Sequence, residues 1–147
     1  GHTKCHHSIA QHSVLIARYA KAEDALRALL HDAHEAYSPF GDVARPDKDA
    51  IEQENPAVMR YIEMVEERID REIAKAFGLP YPICNDAIKV LDTRILHDEK
   101  AAYMTPTDHP WDVPFAPLGV EMEQWGPQRS EWEFLNAFDL YYHGSGA

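Results

Sequence analysis

The sequence predicts an all-α protein, and three observations carry that expectation. Apolar residues recur at helical spacing in successive stretches, and no stretch alternates apolar and polar residues as a half-buried strand does. Ser8 and Asn85 stand where helix caps are wanted. Prolines and glycines gather mainly between the periodic stretches, where they break regular structure.

Ser8 is placed to cap a first helix running to about Ala20, with Ile9, Val14, Ile16 and Ala17 among its apolar positions. A second helix is expected from about Ala22 to Tyr37, turning Leu26, Leu29, Leu30 and Ala33 inward. Ser38 to Lys48 is a predicted loop, because Pro39, Gly41 and Pro46 interrupt any period. Pro56 suits the first turn of a long third helix through Phe77, and Gly78 suits its left-handed stop. Ile62, Val65, Ile69 and Ile73 make the apolar stripe of that helix. Glu63, Glu66, Glu67, Arg68, Arg71 and Glu72 make its solvated face. Leu79 to Pro82 connects to a fourth helix, which Asn85 caps and which runs to about Tyr103 with Ile88, Leu91, Ile95 and Leu96 inward.

Thr105 to Gln128 carries Pro106, Pro110, Pro114, Pro117 and Pro127, so it reads as an extended loop. Trp111, Phe115 and Trp125 give that loop apolar anchors that pack over the helices or form a subunit interface, and Trp132 is read the same way. Ser130 and Glu133 have the spacing of a capping box for a last helix to about Tyr142. Residues 144–147 (Gly-Ser-Gly-Ala) read as a flexible tail. Gly1 opens the chain in mid-pattern, so the N-terminus reads as truncated.

A length of 147 residues with 45% hydrophobic content fits one globular domain, residues 1–143, and excludes a disordered chain. No apolar run approaches the roughly 20 residues of a membrane span, and no signal-peptide pattern is present. Cys5 and Cys84 match no zinc-binding spacing and are expected as free thiols in a cytoplasmic protein. A net charge of −11 argues against gripping long nucleic acid by phosphate neutralisation. It leaves small anionic substrates open, because a bound divalent cation reverses the local field.

Nine histidines direct attention to a metal site, and the search lands on His31-Asp32-Ala33-His34-Glu35. Neighbouring His31 and Asp32 can reach a single ion along one helix edge, while Glu35, one turn after Asp32, is placed as an acid or base beside it. Further ligands must come from other helices. His12 and Asp92 are the best candidates, each a polar group within an otherwise apolar helical stretch, where an unpaired polar group is costly. His34 reads as a supporting or surface residue. His97-Asp98 repeats the doublet in a charged run with Glu99 and Lys100 that reads as an exposed helix end. Glu99 falls two turns after Asp92 on the same face, within reach of a supporting contact. His6 and His7 precede the first helix and read first as a polar N-terminal segment, with lining the cleft as the second reading.

The order His…His-Asp…Asp over three helices resembles the HD superfamily of metal-dependent phosphohydrolases. The similarity is to its small 5′-deoxynucleotidase group and to phage deoxynucleoside triphosphohydrolases. It is carried by residues 8–14 (SIAQHSV), 28–37 (ALLHDAHEAY), Gly41-Asp42 with Pro46 and Lys48, 65–80 (VEERIDREIAKAFGLP), and 88–99 around Asp92. The resemblance implies an HD-domain helical bundle with His12, His31, Asp32 and Asp92 as metal ligands. It implies Glu35 and Asp42 as the acids that manage water and leaving group, and Lys48 and Lys89 as phosphate contacts. The cofactor implied is one divalent transition metal (Mn, Co, Zn, Fe or Ni), with a second Mg or Mn accompanying substrate. The implied activity is hydrolysis of deoxynucleoside 5′-phosphates, to phosphate or to triphosphate, by a homo-oligomer. Phosphodiester or alarmone hydrolysis, or nucleotide binding without turnover, are the alternatives the same residues allow. Two departures stand out: residues 36–41 form a longer loop than in the bacterial nucleotidases, and the family's substrate-contacting arginine falls upstream of Gly1.

Overall fold

The computed structural model describes residues 7–104 and 114–144. Cys5, His6, Pro106, Pro110, Trp111 and the tail from Ser145 lie outside them. Among the described residues there is no β-strand, and the chain is all-α. No helix among them is long and apolar enough to cross a membrane.

Ser8 caps α1 (Ile9–Tyr19), its Oγ accepting from the Gln11 amide at 3.1 Å. A 3₁₀ turn at Ala22–Asp24 leads into α2 (Ala25–Leu30), and α3 (His34–Tyr37) follows after a break. The continuous helix expected over 22–37 is therefore interrupted at residues 31–33. The Glu35 amide donates to the Asp32 carbonyl at 3.0 Å and the Ala36 amide to Ala33 at 3.2 Å. Such i→i+3 closures wind in the same sense as an α-helix, so the apolar period runs through the break without marking it.

The loop expected to extend to Lys48 ends sooner, at Ala44, because α4 occupies Arg45–Glu54. Pro46 starts this helix instead of breaking it: first-turn amides have no intrahelical acceptor to lose, and Asp47 complements the positive helix end. α5 (Pro56–Phe77) ends as predicted on Gly78, which is left-handed at φ 65°. Asn85 caps α6 (Asp86–Tyr103), its side-chain oxygen accepting from the Ile88 amide at 2.9 Å. α7 (Pro127–His143) begins a turn before the expected capping box. Gly126 is its N-cap and Pro127 its first residue, which leaves Ser130 buried inside the helix, while Glu133 pairs with Arg18.

The chain divides into two compact units, one formed by residues 1–30 and 84–147 and the other by residues 31–83. In the first unit α1 packs on α2, α6 and α7. Val14, Ile16, Ala28, Leu29, Ile88, Ile95 and Trp125 form its core. Trp125 confirms that the proline-rich segment carries an apolar anchor, and the guanidinium groups of Arg18 and Arg129 lie 5.3 and 5.0 Å from its ring. Trp132, by contrast, is 64% exposed and is no core residue. The presumed exposed end at His97–Lys100 is corrected too: these residues are half-buried, and the Asp98 carboxylate accepts from the Leu118 and Gly119 amides at 2.8 and 3.1 Å. In the second unit α3 and α4 pack on α5. Met59, Ile62, Ile73 and Ala74 are the buried positions of α5.

Candidate functional site

In the first unit the His12 imidazole lies between two carboxylates. His12 lies mid-helix on α1, with its Nε2 3.2 Å from Asp92 Oδ1 on α6 and its Nδ1 2.7 Å from Glu99 Oε1 two turns further along α6. His7 Nε2 meets the same Glu99 oxygen at 2.9 Å. Burial alone would raise the Glu99 carboxyl, but the hydrogen bonds from His12 and His7 outweigh it and hold the group down at about 2. His7, His12 and Glu99 each bring a ligand-type atom within 4.8 Å of the others. Lys89, one turn before Asp92, is exposed on α6.

In the second unit the break in the helix holds the doublet. His31 is buried, and its Nε2 lies 3.1 Å from Asp32 Oδ2. Glu35, at the start of α3, is half-buried, and burial together with the charges of Asp32 and Asp42 pushes its carboxyl up to about 7 against His34 and Lys48. Asp42 is exposed on the loop that follows. His34 Nδ1 lies 3.1 Å from Asp70 Oδ1 of α5. Burial works against the charged ring of His34, but the Asp70 hydrogen bond and the charges of Asp70, Asp32 and Glu66 raise its pKa overall. Lys48 is held by both carboxylate oxygens of Glu66, at 3.0 and 3.1 Å. Glu66 is thereby drawn out of the solvated face expected for it, while Glu63 and Glu67 remain exposed.

These distances test whether the donors suit a cation. Two ligand atoms each about 2.1 Å from one ion lie about 3.0 Å from each other at an octahedral angle and about 3.4 Å at a tetrahedral one. The His12–Asp92 and His31–Asp32 pairs, at 3.2 and 3.1 Å, both fall in that range, and imidazole with carboxylate is the donor set of transition-metal sites. The pairings of Asp70 with His34 and of Glu66 with Lys48 were not legible in the sequence, because the partners lie 36 and 18 residues apart and no local pattern announces them. Glu99 was visible through its place on the Asp92 face, and the part of His7 was not.

The chain is 36% identical over 100 residues to a protein of Escherichia coli (strain K12) named "Uncharacterized protein YfdR". That match covers 68% of this chain and 50% of the relative, so the chain spans about half the length of the curated relative it matches. No family model matches the chain, and no solved structure does.

Proposed function

We propose that the chain is a divalent-metal-dependent hydrolase of nucleotide phosphate esters, acting foremost on deoxynucleoside 5′-phosphates. The observation that carries this reading is the pair of imidazole–carboxylate couples, His12 with Asp92 and His31 with Asp32, each at the spacing of neighbouring ligands. His12 with Asp92 in the first unit, and His31 with Asp32 in the second, are the residues that would hold a metal. A divalent ion there supplies charge neutralisation at phosphoryl oxygens and lowers the pKa of water.

The other groups do what their surroundings allow. Glu35, whose carboxyl burial and the charges of Asp32 and Asp42 push up to about 7 in the metal-free chain, is the group suited to general acid–base work. Asp42 sustains that property through its charge and, beside Gly41 at φ 63°, stands on a turn that lets a ligand approach the backbone. Lys89 offers an exposed ammonium to phosphate. Lys48 has to exchange Glu66 for phosphate, which makes it the weaker contact of the two.

Incubation with deoxynucleoside mono- and triphosphates and Mn²⁺, Co²⁺ or Mg²⁺, with identification of the released phosphate species, tests the reading. We expect phosphate or triphosphate release that falls more than about 100-fold in Asp32→Ala with the fold retained. Absence of hydrolysis with every nucleotide and metal overturns it. The reading also carries a cytoplasmic homo-oligomer, and a monomeric mass by light scattering at all concentrations removes that part.

A further inference from the structure

Glu99 and His7 lie outside the ligand set named above, yet Glu99 bonds one member of it and His7 bonds Glu99. Glu99 Oε1 stands 2.7 Å from His12 Nδ1 and 2.9 Å from His7 Nε2. Atoms placed this way invite a cation, but the lengths decide otherwise. A separation of 2.7 Å is that of a charge-assisted N–H···O⁻ bond, shorter than the roughly 3 Å between two ligands of one ion. A carboxylate only accepts, so the proton belongs to His12 Nδ1, and the ring then faces Asp92 with Nε2.

Glu99 is itself held from the far side. The His7 ring stacks on Tyr103 with centroids 4.7 Å apart. The Tyr103 hydroxyl donates to the Glu123 carbonyl at 2.8 Å, and Gln11 Nε2 donates to the same carbonyl at 2.6 Å. A connected chain therefore runs from the backbone at residue 123 through Tyr103 and His7 to Glu99 and His12.

We propose that Glu99 is a positioning residue that fixes His12 with its proton on Nδ1 and its Nε2 presented to a divalent cation, and that His7 keeps Glu99 in place. The inference rests on the metal reading above. It predicts that removing Glu99 weakens cation binding without removing any ligand, because an unanchored ring both turns and changes tautomer.

The test uses the full chain, with Zn²⁺ and Mn²⁺ affinities from chelator-competition titrations and the ring nitrogens of Zn²⁺-loaded protein read by ¹⁵N NMR. In the wild type we expect His12 to show a protonated Nδ1. Glu99→Ala is expected to bind Zn²⁺ about 10- to 100-fold more weakly and to lose the single tautomer. Glu99→Gln, which keeps a neutral acceptor, recovers part of the affinity. His7→Phe, which keeps the stack on Tyr103 and loses the donor, shows a smaller loss in the same direction. Should Glu99→Ala fail to fold by circular dichroism, the Gln and His7 variants carry the same ordering. Wild-type affinity and an unchanged tautomer in folded Glu99 variants overturn this inference alone. A wild-type chain that binds neither ion overturns it together with the metal reading.

Discussion

Glu35 is the residue whose surroundings most alter its chemistry. Its carboxyl is raised to about 7 by burial and by Asp32 and Asp42, so the folded chain holds its proton more tightly than the unfolded chain does. Stability from this group is therefore greatest below the ordinary carboxylate range and is lost as pH rises toward about 7. His34 acts in the same direction: its raised pKa stabilises below the ordinary histidine range and that contribution is lost as pH climbs through the raised value. Metal-free protein should accordingly show a falling urea midpoint between about pH 5 and pH 8, with a shallower fall in Glu35→Gln. A midpoint that rises over this interval contradicts the assigned shifts. Glu35 was legible as a candidate because it lies one turn after Asp32. Its coupling to Asp42 was not, since that depends on where the loop at 38–44 carries the acid.

Among the elements, the ends of helices were the most legible parts where a side chain or a glycine marks them. Gly78 closes α5 in the left-handed region, and Asn85 caps α6 through the Ile88 amide. Gly78→Ala places a Cβ at positive φ and should cost about 1–2 kcal/mol, seen as a lowered Tm. Asn85→Ala should cost about 0.5–2 kcal/mol by the same measurement. Leu29→Ala, in the core where α1 and α2 meet, should exceed both at about 2–5 kcal/mol. If the Gly78 and Asn85 variants melt with the wild type, those ends are held by packing and not by their caps. Elements without such marks were read less well. α4 hides behind Pro46, which serves equally to end one segment or begin another. The start of α7 was displaced because Gly126 and Pro127 provide an earlier start than the Ser130–Glu133 pattern.

At the scale of the whole molecule, a net charge of −11 repels the anionic substrates proposed for it. Added salt screens that repulsion, so kcat/KM for a nucleotide should rise modestly between about 50 and 150 mM NaCl. A steep fall instead would show that attraction by Lys89 and a bound cation governs the encounter. The all-α class was legible from periodicity because helical packing needs only one apolar stripe per element. The partition into two units was not legible, since the apolar stripes of 9–30 do not say which later helices they meet. That partition has a consequence for the order in which the chain is made. The segment 31–83 is continuous and sits between the two stretches that compose the other unit. As synthesis proceeds, Val14, Ile16 and Leu29 leave the ribosome long before Ile88, Ile95 and Trp125 can cover them. Meanwhile α3, α4 and α5 can already pair with one another. Helices α1 and α2 can pair with each other, but the rest of their apolar surface waits for α6 and α7 while the inserted segment folds. This makes the nascent chain most open to chaperone capture or aggregation during the interval before α6 emerges.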